Sequence, residues 1–291
     1  MSMLQGALFS FQLPARYSFI PKIVPENLVS NGIALLSSGM ALVTVFSGSA
    51  VGYLYGKYGP SNVFFVISLI QLTALLLAIY LPKTKKNDSV SENYIDEMKK
   101  SFKYLIGNKM VLAILFSSLI VSMVAMPVRL QLPIIARRLY MISPGEIGLL
   151  LTLAGIGAVF GTLMISTLKK GNLRFLLFLI SAFGLGFCIL TLSIFPYYSV
   201  GLIVVIFFGA FEQIRMALSN VLTMEYTDKK YRARMMGFFM LNFAFIPFGA
   251  LPIGYGVDKL GAVNTLLIDS IILISILMLL LALSKSFRKI K

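Results

Sequence analysis

Apolar stretches of about 20 residues recur along the chain, separated by short polar segments. Eight are long enough to cross a bilayer as helices, near 31–55, 62–82, 110–135, 146–168, 175–195, 201–224, 236–257 and 263–283. Residues 3–13 (MLQGALFSFQL) precede them and, as a helix, would cover roughly 16 Å, about half the hydrocarbon thickness. That stub is neither a whole span nor a signal peptide, because no basic segment precedes it and no small-residue cleavage site follows. The pattern predicts an all-α polytopic membrane protein with eight full transmembrane helices and an N-terminal half helix.

Composition agrees. Of 291 residues, 58% are hydrophobic and 13% charged, far from the balance of a water-soluble domain. The absence of histidine removes the commonest metal ligand and general base, so no metal or cofactor is expected. The lone cysteine, Cys188, lies in an apolar run and reads as a small buried side chain. Interfacial aromatics must come from tyrosines, since the chain has no tryptophan.

The net charge of +15 becomes interpretable once it is sorted by side. Alternate connections, including the C-terminal tail, hold 20 Lys and Arg, and the opposite connections hold four. This bias predicts a cytoplasmic C-terminus in the cell (inner) membrane, and it accounts for the positive charge without nucleic acid. The longest connection, 83–109, carries a polar linker and then Ile95, Met98, Phe102 and Leu105 at helical spacing. This predicts an amphipathic helix on the cytoplasmic surface, covering a boundary between two halves.

Two stretches repeat. VGYLYGKYGPSN (51–62) and IGYGVDKLGAVN (253–264) share G-Y-x-x-x-K-x-G-x-x-N at an offset of 202 residues, and GALF (6–9) pairs with GAFE (209–212). The matched spans lie six crossings apart and run in the same direction, as in a transporter built from two parallel six-helix halves. The predicted organisation is a partial N-terminal bundle (1–82), a cytoplasmic loop with its amphipathic helix (83–109), and a complete six-helix bundle (110–291). The missing N-terminal helices, three and a half of them, are then expected upstream of Met1.

The stretches 11–37 (FQLPARYSFIPKIVPENLVSNGIALLS), 130–164 (LQLPIIARRLYMISPGEIGLLLTLAGIGAVFGTLM), 228–237 (DKKYRARMMG) and 247–261 (PFGALPIGYGVDKLG) resemble the major facilitator superfamily. The similarity is to its enterobactin-exporter-like branch, grouped as transmembrane secretion effectors, and it begins in the fourth helix of a twelve-helix fold. The resemblance implies helices four to twelve of a major-facilitator-like fold. It implies proton-coupled efflux of a hydrophobic or amphipathic small molecule by alternating access, with lipid bilayer, substrate and protons as partners. Ser49 stands where the family's exporters often have proline, and Ala233 where glycine is usual.

Few residues can carry such chemistry. Glu212 lies about 17 Å into its span, near the bilayer middle, and Arg215 follows three residues later. Charges at this depth cost a few kcal/mol each, on the order of 3, and must face protein or water. Three readings stay open: a mutual ion pair holding helices together, a cavity lining in which Glu212 exchanges protons, or a lock in which Arg215 pairs with a distant carboxylate. Ser219 continues this face toward the cytoplasm. Arg129 and Gln131, flanked by Pro127 and Pro133, complete the expected substrate and proton pathway, and Asp269 is a second candidate proton site. Arg232 and Arg234 are the expected cytoplasmic gate. Gly48, Gly52 and Gly56, with Gly157 and Gly161, have the spacing that lets helix backbones approach closely in lipid.

Two other function classes compete. An integral membrane enzyme, such as a lipid-modifying transferase, needs clustered catalytic groups that this composition does not supply. A truncated, non-transporting fragment or assembly partner would need only the packing residues.

Overall fold

The computed structural model describes residues 23–25, 28–80, 94–166 and 171–283. The stub 3–13, the linker 83–93 and the tail 284–291 lie outside the described residues. The described elements are α1 (Val29–Ile79), α2 (Tyr94–Gly107), α3 (Lys109–Leu130), α4 (Leu132–Tyr140), α5 (Pro144–Ser166), α6 (Asn172–Ile194), α7 (Tyr198–Glu225), a 3-10 turn (Lys229–Tyr231), α8 (Arg232–Ala244), α9 (Ile246–Lys259) and α10 (Ala262–Leu283). No strand occurs among the described residues. Among the described residues seven helical stretches are long and apolar enough to cross a membrane, and the chain is a multi-pass membrane protein.

The eighth expected span is recovered at one residue, where α1 divides into two helices. α1 runs for 51 residues and contains both of the first two expected spans. As one straight helix it would be about 76 Å long, more than twice the hydrocarbon thickness. The break falls at Gly59, whose φ of 78° and ψ of 172° are closed to residues with a β-carbon, and Pro60 follows it. The repeat partner of Gly59 is Gly261, which has a φ of 81° between α9 and α10. The shared asparagines also behave alike. The Asn62 amide donates to the Tyr58 carbonyl at 2.7 Å, and the Asn264 amide to the Leu260 carbonyl at 3.0 Å. The repeated motif is therefore one local structure used twice: a glycine-broken helix end with an asparagine tying the next helix to the carbonyl four residues back.

Proline interrupts two further expected spans. The span expected over 110–135 is α3 and α4, broken at Gln131 just before Pro133. The span over 236–257 is α8 and α9, broken at Phe245 ahead of Pro247. A proline cannot donate the backbone bond that would continue the preceding turn.

The remaining helices pack around α7. Ile114, Phe175, Phe178, Ile214, Leu218 and Leu222 join α3, α6 and α7 near the N-terminal end of α3. A larger cluster, including Val121, Leu185, Ile189, Phe208, Ile253 and Leu266, joins α3, α6, α7, α9 and α10 nearer the C-terminal end of α3. Only part of the expected apolar face of α2 is used in packing. Leu105 is buried with Val111, Leu115, Met235 and Phe239, whereas Met98 and Phe102 are exposed. The Ile95 side chain lies outside the described residues.

The small residues divide between two seams. A β-carbon on Gly48 would sit 2.8 Å from the Thr152 nitrogen, and one on Gly52 would sit 2.8 Å from the Gly148 Cα, so α1 and α5 touch backbone to backbone. Ser49 strengthens this seam. Its backbone N–H donates to the Thr152 hydroxyl at 2.9 Å, and the two hydroxyls share a bond at 2.7 Å. The proline expected there could make neither. Gly157 and Gly161 pack instead on Ile206 and Ala210 of α7. Gly56, expected to pack, does not: nothing among the described residues comes within 4 Å of a β-carbon built on it.

Candidate functional site

Helices α3 and α7 run antiparallel and carry the polar groups of the membrane interior. On α7, Glu212, Arg215, Ser219 and Thr223 recur every three or four residues and form one face. On α3, Ser118, Ser122 and Arg129 lie along the opposing face. Both stripes are enclosed by protein: Glu212 is 3% exposed and Arg215 2%. The expected polar stripe thus sits between helices rather than on an open surface of the described bundle.

Glu212 does not pair with Arg215. Its carboxylate accepts from the Arg129 guanidinium, so the ion pair bridges α7 and α3. The Arg129 side chain keeps 26% of its surface exposed, against 5% for Glu212, and so links the buried carboxylate to the periphery. Arg215 donates to the Ser118 hydroxyl at 3.0 Å, to the Ser118 carbonyl at 3.4 Å and to the Ser122 hydroxyl at 3.4 Å. The Asn242 amide of α8 donates to the same Ser118 hydroxyl at 3.2 Å. Arg215 Nε and Ser219 Oγ are buried without a hydrogen-bond partner. Among the described residues the carboxylate thus serves Arg129 alone, and Arg215 is held by neutral acceptors.

The other expected site residues lie apart from this network. Gln131 occupies the break between α3 and α4 and donates to the Ala250 carbonyl at 2.7 Å, tying that break to α9. Asp269 lies on α10, and its Oδ2 is buried without a partner. Nearby, Asn264 turns to the Leu260 carbonyl and Ser270 donates to the Leu267 carbonyl at 2.8 Å. At the start of α8, Arg232 Nε donates to the Thr227 carbonyl at 3.3 Å, and the Arg234 guanidinium lies 5.9 Å from the centre of the Tyr231 ring.

Some participants had no strong sequence signal. Ser118, Ser122 and Asn242 are ordinary in composition; helical register with Arg129 could have pointed to the two serines, and nothing to Asn242 on α8. Tyr104 of α2 stacks on Tyr231 at 4.2 Å, and its hydroxyl accepts from the Asp228 N–H at 2.9 Å. Arg174 pairs with Glu225 at 2.6 Å, joining the N-terminal end of α6 to the C-terminal end of α7. No group of three or more metal-binding side chains occurs among the described residues.

Charged groups bridging apolar helices of a multi-pass protein suit a membrane pathway, and the whole sequence can be compared with known families on that basis. The sequence model of the family described as transmembrane secretion effector matches residues 1–289. The chain belongs to that family. It is thereby a member of the major facilitator superfamily, with an all-α polytopic fold. Among curated proteins, this secretion effector is similar to the enterobactin exporter EntS of Salmonella choleraesuis, 25% identical over 233 residues. It is similar to the same degree to the enterobactin exporter EntS of Salmonella typhi. Each match covers 80% of this chain and 56% of the relative, so the chain spans little more than half the length of these relatives.

Proposed function

We propose that this secretion effector acts in secondary active efflux of a hydrophobic or amphipathic small molecule. Two helix bundles would rock about a midplane site, and proton movement would drive the cycle. The family assignment and the exporter relatives support efflux. The observation that carries the coupling is the Arg129–Glu212 ion pair, which joins charged side chains of two membrane-spanning helices. Ionisable groups in the membrane interior mark substrate or proton pathways. Protonating Glu212 would remove its charge and release Arg129, loosening α7 from the outer end of α3. Breaking a buried pair by neutralising one member leaves the other charge without its partner, which makes the paired and released arrangements two distinct states.

Asp269, buried and unpartnered, is a second candidate proton carrier. Arg232 and Arg234 are proposed to steady the cytoplasmic end, where α2 docks on the loop preceding α8. The charge bias supports a cytoplasmic C-terminus in the inner membrane. The shared geometry around Gly59 and Gly261 supports a design from two related helix bundles.

The experiment is proton-coupled transport in vesicles containing the complete chain, with enterobactin and a lipophilic fluorescent dye as probes. Glu212→Gln is expected to abolish the pH-gradient dependence of transport, and Asp269→Asn to leave more of it intact. Coupling that is unchanged in Glu212→Gln eliminates Glu212 as the proton carrier.

A further inference from the structure

The outer ends of α1, α4 and α5 enclose a cavity of about 430 Å³ that shares no residue with the Arg129–Glu212 network. Its walls are largely apolar, with Val51, Ile134, Ile147 and Leu151 prominent, and Arg137 and Arg138 also line it. The glycine seam of Gly48, Gly52 and Gly148 borders the same space. Sites for small molecules commonly combine a volume of this order, a few hundred Å³, with apolar walls and a few placed polar groups.

The two arginines need an account. Connections on the outer side hold four Lys and Arg in all, and this adjacent pair is half of them. The bias that places cations on the cytoplasmic side works against the pair. Arg138 is explained by the protein itself, since it pairs with Asp258 at 2.6 Å and donates to the Val257 carbonyl at 3.1 Å. Arg137 is not. Among the described residues no hydrogen bond or ion pair engages its guanidinium, although its place is fixed in the last turn of α4, where its carbonyl accepts from the Met141 N–H at 3.1 Å. A helix C-terminus favours a cation through its dipole. That effect would act equally in open water and gives no reason to set the charge beside an apolar cavity.

We propose that this cavity binds a small amphipathic anion from the outer side. Its apolar body lies against Val51, Ile134 and Leu151, and its acidic group, a carboxylate or sulfonate, is received by Arg137. A guanidinium suits this role because its planar donors match the two oxygens of such a group. The site goes beyond the efflux reading, which places no ligand at the outer ends of these helices. It is tested by binding alone, so failure here leaves the Glu212 experiment standing, and the reverse also holds.

The test uses the complete chain in zwitterionic lipid nanodiscs carrying Ile134→Cys, labelled with a membrane-impermeant maleimide. Ile134 is exposed, and the native Cys188 is buried, so the parent chain supplies the background. Naphthalenesulfonate is expected to slow labelling, and the matched naphthyltrimethylammonium cation is not. Arg137→Gln should weaken the protection about tenfold, the scale of one charge-assisted hydrogen bond, and Arg137→Lys should retain part of it. Val51→Cys on the facing wall gives a second reading if Ile134→Cys does not fold, and Tyr197→Cys, exposed in the connection between α6 and α7, should be insensitive to both compounds. Equal protection by anion and cation, or protection that survives Arg137→Gln unchanged, overturns the proposal. So does protection in phosphatidylglycerol nanodiscs without added anion, which assigns the cavity to a lipid headgroup.

Discussion

Glu212 reaches across to Arg129 on the neighbouring antiparallel helix, and leaves Arg215, three residues along its own helix, to the hydroxyls of Ser118 and Ser122. A carboxylate and a guanidinium at i and i+3 could have met on one helix face. Such a pair would hold nothing together except one turn of α7. The observed arrangement spends both charged residues on contacts between helices.

This choice predicts coupling between Arg129 and Glu212. Neutralising either one, by Arg129→Gln or Glu212→Gln, should cost about 1–3 kcal/mol, below the range for a fully buried pair because Arg129 is partly exposed. The double variant should be less destabilised than the sum of the singles, with a coupling of about 1–2 kcal/mol. Thermal unfolding of the purified protein in detergent measures all three. Strict additivity would mean that the pair contributes nothing to the link between α3 and α7.

Ser118 makes a second prediction. Its hydroxyl accepts from both Arg215 and Asn242, so Ser118→Ala strips a partner from two buried donors and should cost about 1–3 kcal/mol. The adjacent Ser117 is equally buried but donates only to the Ile114 carbonyl of its own helix. Ser117→Ala should be nearly silent. Equal effects at the two positions, read by the same unfolding assay, would remove Ser118 from any special role.

Much of this architecture is legible before any coordinates. Apolar run lengths give the crossings, and charge asymmetry gives a sidedness. The depth of Glu212 and Arg215 marks α7 as the helix to watch. What periodicity could not give is the partner of each charge, because reach along one helix and reach across to another are equally short. The glycines show the same limit. Gly48 and Gly52 were visible as small residues at helical spacing, but Gly148 and Thr152, which meet them, form their own small-x-x-x-small step on α5. Nine residues separate Gly148 from Gly157, and nine steps of about 100° place them on opposite faces of a helix. α5 therefore carries two seams, one for α1 and one for α7. The break at Gly59 was hidden for a related reason: spacing shows that a glycine repeats, and only the backbone angle shows what the repeat is for.

The two-sided packing of α5 makes a contrast between glycines. A β-carbon on Gly157 would lie 1.9 Å from the Ile206 carbonyl oxygen, so Gly157→Ala forces α5 and α7 apart and should cost about 1–3 kcal/mol. Gly56→Ala meets nothing among the described residues and should be neutral or slightly stabilising, since alanine is the better helix former. Equal destabilisation by both changes would contradict the assignment of Gly157 to a seam.

Tyr104 fastens α2 to the loop before α8. Its ring stacks on Tyr231, and its hydroxyl accepts from the Asp228 N–H and from the Asn108 amide. Tyr104→Phe keeps the stack and loses both acceptor contacts, whereas Tyr104→Ala loses everything. Hydrogen exchange over 94–107 should therefore rise in steps, modestly for the first variant and strongly for the second. Unchanged exchange in Tyr104→Ala would mean that Leu105 and its neighbours alone hold the helix.

The sharpest test of the repeat concerns Gly59 and Gly261. Both have positive φ, and both stand three residues before an asparagine that bonds back across the helix break. No neighbouring side chain crowds either glycine, because a β-carbon at each would find nothing within 4 Å. Any penalty for adding one must come from the backbone conformation itself. Gly59→Ala and Gly261→Ala should each cost about 1–3 kcal/mol, and the two costs should be similar although the glycines terminate helices in different parts of the chain. Gly237→Ala is the natural control, since that glycine also has open space around it but lies within α8. Thermal unfolding that ranks Gly237→Ala with the other two, or that separates Gly59→Ala from Gly261→Ala by several-fold, would show that the shared motif is a likeness of letters and not of structure.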